Sequence, residues 1–341
     1  MNSLNQNRLS ARIEVARYVM IAGIVILHLP PYVPLSEVSG LFESIKAFFS
    51  HGVFRFSVPV LSAISGFLLF RSIERKKYSE LVVSKVRTLA IPMIIWNVPM
   101  LLGLFYIQST LSTSHQFSFQ AYPFDAVRWF DGVFGVFSMP VNYPLNFLRD
   151  IFALSLLAPC FYLVIQKFGL LGLLAIFFFF WFDFDGQFVL RNQMAINYCC
   201  GAWLAMKGTD IFQLDKYRLV SLVVIIVSCS AIVWFEIENR SLFRVLSPFF
   251  VWSALSYLDS TMLSSWIVRY SKQSFFIFCV HAPLLIILWF SYQFINNIIS
   301  VPYVVFWLFS PFIVLILCNL FYKAGYKLAP AFMRLALGGR A

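Results

Sequence analysis

Runs of about twenty apolar residues recur along nearly the whole chain, parted by short polar stretches, and this pattern leaves little choice of fold. A spanning helix needs roughly 20 mostly apolar residues, because a backbone in hydrocarbon must satisfy its own hydrogen bonds. Ten segments are read as spans on that rule: 13–30, 51–70, 88–108, 144–166, 168–183, 189–207, 217–235, 241–258, 273–293 and 302–324. The spacing predicts an all-α, polytopic transmembrane helix bundle of about ten spans. Charge excludes a water-facing globule, since 12% of the residues are charged against about a quarter in soluble domains. Proline punctuates many span ends, as at Pro30-Pro31, Pro123, Pro140, Pro144 and Pro302. No internal repeat or Gly/Ser-rich linker interrupts the chain. Residues 1–341 are therefore expected to form a single transmembrane domain with no soluble C-terminal domain. No cleavable signal peptide is expected, because the first apolar run carries Arg17 and ends in His28 and Pro30-Pro31.

Charge then orients the bundle. With the N-terminus cytoplasmic, most of the 26 Lys and Arg fall on the inner side, and an even number of spans returns the C-terminus there. The net charge of +11 sits beside span ends, so the lipid bilayer accounts for it and no nucleic acid is expected as a partner. Six cysteines show neither metal-ligand spacing nor a disulfide framework. They read as buried, inert thiols, and no metal site is expected. The widest outer segment, 109–143, holds His115, Tyr122, Asp125, Arg128, Trp129 and Asp131. It reads either as a loop with an interfacial aromatic belt or as a lid over an outward-facing site.

Titratable groups inside spans are costly and face a bundle interior or a water-filled cavity. Arg17 and His28 lie 11 residues apart in the first span, which is three turns plus about 20° and a rise of roughly 16 Å. Both then share one face. The bland alternative pairs Arg17 with Glu14 at i, i+3 and leaves His28 as an interfacial histidine. The second span opens with His51 and Arg55 at i, i+4, and Pro59 is expected to kink it. Ser62, Ala63, Ser65 and Gly66 let a neighbouring helix come close. Packing does not explain Arg55, which is expected to meet an anion, a carboxylate or a polar substrate. Arg149-Asp150 reads as an ion pair or a site, Asp183 and Asp185 as a solvated turn, and His281 as a core or functional histidine.

Arg17 and His28 also match the Arg/Lys-x10-His signature of the acyltransferase-3 family of integral membrane acyltransferases. Three further stretches are similar to that family in the same order. Arg55 is followed by Val58-Pro59 and Ser65-Gly66, Asn146 to Pro159 resembles its fourth-span opening, and Ser274 leads into His281-Ala-Pro283. The resemblance implies an O-acyltransferase of a bacterial inner membrane. It moves an acetyl or other short acyl group from cytoplasmic acyl-CoA to a hydroxyl of an outward-facing glycan or lipid-linked saccharide. Acetyl-CoA, or another acyl-CoA, is then a co-substrate, and no cofactor is tightly bound. In that chemistry His28 is the general base, its imidazole titrating near neutral pH, and Arg17 holds the donor's phosphate or pantetheine end. Arg55, His51, Arg149, His281 and Ser65 are candidates for donor or acceptor binding, with Arg55 or His281 orienting the acceptor or polarising the thioester carbonyl. Arg71, Arg75, Lys76 and Lys77 are a possible dock for the coenzyme's phosphates, or reflect the positive-inside rule alone. Direct transfer and a covalent acyl-His28 intermediate both stay open. Two other classes compete: a secondary transporter with an intramembrane Arg/His path, and a non-catalytic membrane scaffold that tolerates loss of Arg17 and His28.

Overall fold

A computed structural model of the chain describes residues 3–75, 77–110, 117–186 and 188–340. Those residues form helices and their connections, with no strand among them. In chain order the described α-helices are α1 (Ser3–Leu27), α2 (Gly40–Ala47), α3 (Ser57–Phe70), α4 (Tyr78–Lys85), α5 (Ile91–Thr110), α6 (Ala126–Phe134), α7 (Asn146–Leu156) and α8 (Ala158–Phe168). They continue as α9 (Leu170–Trp181), α10 (Asn192–Met206), α11 (Arg218–Trp234), α12 (Ser241–Ala254), α13 (Met262–Tyr270), α14 (Ser274–Ile298), α15 (Tyr303–Leu328) and α16 (Pro330–Ala336).

Among the described residues six helical stretches are long and apolar enough to cross a membrane, or seven if the bent pair α7–α8 is one span. They cover Gly40–Phe70, Tyr78–Thr110, Ile211–Trp234, Ser241–Leu258, Met262–Ile298 and Tyr303–Leu328. Three stretches expected to span are helical but do not qualify. α9 and α10 have 12 and 15 residues, and α1 carries Arg8, Arg12, Glu14 and Arg17 among its 25. Length and composition thus mark six or seven crossings of the ten expected. Large apolar side chains such as Trp234, Phe294, Phe309 and Phe312 point outward, as lipid-facing surfaces do.

α1 packs against α3, α13, α14 and α15, with Val15, Ala16, Ile24 and Val25 essentially inaccessible. Its N-terminal end is tied by ions. Arg12, 2% exposed, forms ion pairs with Asp215 and Asp259, and Arg8 joins the same two carboxylates at 2.8 and 2.9 Å. Arg12 also lies over the rings of Phe212 and Trp252.

The small residues of α3 do what their size suggests. A Cβ on Gly66 would sit 2.0 Å from the Tyr198 carbonyl oxygen, and one on Gly201 2.0 Å from that of Ala63. α3 and α10 therefore touch backbone to backbone through reciprocal glycines. Pro59 does not kink this span, contrary to expectation. It is the third residue of α3, where a missing N–H is an orphan donor anyway. Upstream the helix changes type without ending, through a π-helical turn at Phe48–Gly52 and a 3-10 turn at Val53–Phe56. α7 and α8 meet at a 55° bend, with Pro159 in the first turn of α8.

The described part of the segment after α5, from residue 117 on, is held by specific hydrogen bonds. Gln108 donates to the Phe119 carbonyl and accepts from the Ala121 and Tyr122 N–H groups. Asp131 accepts from Ser138 and from the Phe137 amide. All six cysteines are unpaired, but Cys160 is exposed and Cys200 half-buried, so not every thiol is interior as expected.

Candidate active site

The chain brings His28, at the end of α1, against His281 in α14. His28 Nδ1 lies 3.1 Å from His281 Nε2. The rings are 11° from coplanar with centroids 5.4 Å apart, the geometry of an in-plane N–H···N bond rather than of a face-to-face stack. Partners assign the protons. His281 Nδ1 faces the Phe278 and Ile277 carbonyls at 2.9 and 3.1 Å, and carbonyls only accept, so this nitrogen carries the proton. Its Nε2 is then the acceptor and His28 Nδ1 the donor. His28 Nε2 is left with a free lone pair. The edge of Tyr143 stands against the same ring, centroids 4.8 Å apart.

The backbone of α14 explains how this pocket is pinned. Pro283 lies inside the helix and has no N–H for the carbonyl of Cys279, four residues back. Asn142 Nδ2 takes that carbonyl at 2.9 Å, and the Asn142 amide is held in turn by Asn97 Oδ1 at 3.0 Å. Asn97 also donates to the Val133 carbonyl. The chain of amides fixes Tyr143, the next residue, beside His28. His28 and Tyr143 line a largely apolar cavity of about 450 Å³ with Phe117, Phe119, Met100 and Phe290. The segment after α5 thus supplies one wall of the histidine cavity, as a lid reading requires, while His115 falls outside the described residues.

Arg17, toward the other end of α1, opens into a second cavity of about 290 Å³. It does not pair with Glu14, which accepts instead from Ser271 Oγ at 3.1 Å, and among the described residues no hydrogen bond or ion pair engages it. Ser65, Ser72, Lys85, Ser274 and Arg340 share this cavity. Phe278 lines it too, and stacks edge-on with Phe147 before touching His281. The aromatic pair therefore stands between the Arg17 cavity and the histidines.

Other expected site residues lie elsewhere. His51 is 3% exposed and spent on structure: Nε2–H donates to the Val33 carbonyl and Nδ1 accepts from Arg240, both at 2.8 Å. Arg149 donates to the Gly135, Val136 and Phe188 carbonyls and to Asp150, so it fastens loops and lines neither cavity described so far. Arg55 faces a third cavity, with Arg191 and Arg244. Arg71, Arg75 and Lys77 are exposed around the turn after α3 and do not line the Arg17 cavity, and Lys76 lies outside the described residues. Asp183 and Asp185 serve the turn locally, accepting from Asn192 and from the Val189 amide.

Sequence reasoning missed Tyr143, Asn142, Arg191, Arg244 and Arg340. Only Asn142 had a readable signal, since a proline two residues after a buried histidine frees a carbonyl that some donor must meet. Arg340 reaches the Arg17 cavity because Gly338, at φ +61°, packs onto the backbone of Thr88 with no room for a Cβ. That contact is invisible in the sequence.

Residues 10–323 match the acyltransferase-3 family model, described as an acyltransferase domain. The chain is also similar to the succinoglycan biosynthesis protein ExoH of Rhizobium meliloti (strain 1021), at 28% identity over 97% of this chain and 92% of the relative. No solved structure matches it.

Proposed function

The chain belongs to the acyltransferase-3 family, and from that premise we propose that it moves a short acyl group from acyl-CoA to a saccharide hydroxyl across the membrane. The match to a protein of succinoglycan biosynthesis supports a polysaccharide or its lipid-linked precursor as acceptor. The basic residues at span ends support a cytoplasmic N-terminus in a bacterial inner membrane. The observation that carries the catalytic reading is the hydrogen-bond chain from the Phe278 and Ile277 carbonyls through His281 to His28. It leaves a lone pair on an oriented imidazole beside a cavity, which is what a general base needs.

In the proposed step His28 Nε2 takes the proton of the acceptor hydroxyl as its oxygen bonds to the thioester carbonyl carbon. The tetrahedral intermediate collapses with cleavage of the C–S bond. The thiolate leaves as CoA and recovers the proton from His28, so the ester and CoA-SH are the products. His281 works through His28, its Nε2 stabilising the imidazolium as it forms. Arg17 and Arg340, with Ser65 and Ser274, are suited to the pantetheine and phosphate end of the donor. The Phe147–Phe278 pair then has to part for the thioester to reach His28.

The test is transfer of radiolabel from acetyl-CoA to a pool of cell-envelope glycans by the chain in nanodiscs. His28→Ala is expected to abolish transfer while donor binding persists. Arg17→Ala is expected to raise the donor KM about tenfold, as loss of a charge-assisted contact does. Unchanged transfer in a folded His28→Ala protein refutes the reading.

A further inference from the structure

Leu27, the residue before His28, opens on a third cavity of about 600 Å³. Arg55 from the turn before α3, Arg191 from the residue before α10 and Arg244 from α12 converge on its wall. Arg55 gives its Nε–H to the Ser50 carbonyl at 3.1 Å. Among the described residues no hydrogen bond or ion pair holds the side chains of Arg191 and Arg244. Asp183, the one carboxylate among the described lining residues, already accepts from Asn192 Nδ2 at 2.8 Å. Asp150, nearby, is bonded to Arg149.

A guanidinium cannot shed its proton in a protein, and placing it in low-dielectric surroundings without a counter-charge is strongly unfavourable. Three that converge with so little opposing charge describe a site whose anion arrives with the ligand. Their planar forks match carboxylate and phosphate oxygens two at a time. The space holds roughly twenty waters at ~30 Å³ each, enough for a sugar ring with a charged substituent and far more than a short acyl chain fills. Its position is equally telling, because the charges of Arg55 and Arg191 bear on His28 itself.

We propose that this cavity is the acceptor site and that the acceptor is an anionic saccharide, its carboxylate or phosphate gripped by Arg55, Arg191 and Arg244 while a neighbouring hydroxyl meets His28. The fate of that hydroxyl rests on the acyltransfer reading, whereas the binding of the anion does not. The donor and acceptor then enter from opposite ends of α1 and meet at the histidine pair.

Calorimetric titration of the full chain in nanodiscs with glucose, glucuronate and glucose 1-phosphate tests this. At least one charged sugar is expected to bind about tenfold or more tighter than glucose, and less so as salt screens the contact. Arg191→Gln and Arg244→Gln are expected to remove that advantage, and Arg244→Lys to keep part of it. A preference for glucuronate assigns the anion to a sugar carboxylate, and one for glucose 1-phosphate to a phosphate linkage. Equal binding of all three sugars, or binding of none, overturns the proposal, as do Arg→Gln proteins that bind charged sugars like the wild type. The wild-type comparison and its salt dependence need no variant, so a misfolded substitution leaves the test intact. His28→Ala is expected to keep anion binding. Arginine-dependent binding in a wild-type protein that transfers no acyl group refutes the acyltransfer reading and leaves this one standing.

Discussion

Replacing His281 by Ala tests the proposal that His28 does the chemistry and His281 orients it. At 3.1 Å the bond between two neutral imidazoles contributes about 1 kcal/mol net. Once His28 holds the acceptor's proton, the bond becomes charge-assisted and contributes about 1.5–3 kcal/mol. The difference, about 0.5–2 kcal/mol, is felt only in the transition state and corresponds to roughly 2–30-fold in rate. Without its acceptor the His28 ring also loses its fixed tautomer, and if half the molecules present Nε2–H a further factor of about two is lost. His281→Ala should therefore lower kcat by roughly 4–60-fold, against about 10²–10⁴-fold for removing the base in His28→Ala. Donor KM should not move, because neither histidine lines the Arg17 cavity. Single-turnover transfer of labelled acetyl in nanodiscs measures these quantities, with thermal melting run alongside to report stability. The double variant should be no slower than His28→Ala alone, since the two rings act as a unit. A His281→Ala protein within about twofold of wild type, or losses that multiply in the double variant, would refute the reasoning.

Three other outcomes follow from the same structure. If His28 is the base it acts only while Nε2 is unprotonated, so transfer should be lost as acid protonates the imidazole and kept once it is neutral, and transfer that rises on acidification counts against its role. Burial raises the Asp259 carboxyl, but hydrogen bonds and charge from Arg12 and then Arg8 outweigh this and hold it below the usual carboxylate range. The pair therefore stabilises the fold above about pH 4, the unfolded value, and that contribution disappears as pH falls through the depressed folded one. Arg12→Met should cost about 2–3 kcal/mol at neutral pH, below the ~3–5 kcal/mol for breaking a fully buried pair because the two carboxylates keep some solvent. Asp259→Asn should blunt the loss of melting temperature in acid, and an unaltered acid limb would show that the cluster is not what titrates. Gly66→Leu should prevent recovery of folded protein, since even a Cβ meets the Tyr198 carbonyl at 2.0 Å and a backbone contact cannot yield as a side chain can. Normal melting of that variant would mean that α3 and α10 do not pack through their glycines.

Much of the architecture was legible because it depends on local composition. Twenty apolar residues in a row must become helix wherever they meet lipid, so the all-helical fold is read from the chain directly, whereas the bend near Pro159 falls inside a stretch read as one span. Ser62 to Gly66 announced a close helix neighbour without saying which helix, and α10 supplied the answer. The expected kink at Pro59 failed because proline is costly only beyond the first turn, and a linear sequence does not say where a helix begins. His51 and Arg55 looked like one paired feature at i, i+4. The π turn at Phe48–Gly52 sends His51 to Val33 and Arg240 and leaves Arg55 facing a cavity.

The sequence by itself determined that this is a helical membrane protein of the acyltransferase-3 type, and that Arg17 and His28 belong to one helix. Hydropathy, proline placement and a ten-residue spacing are properties of neighbours along the chain. Only the tertiary structure decided that His281 is the partner of His28, that Arg340 joins Arg17, and that Arg55, Arg191 and Arg244 share one cavity. Those residues stand 253, 323 and as many as 189 positions apart. Their meeting depends on which helix faces pack together, and packing is a property of all the contacts at once rather than of any one stretch of residues.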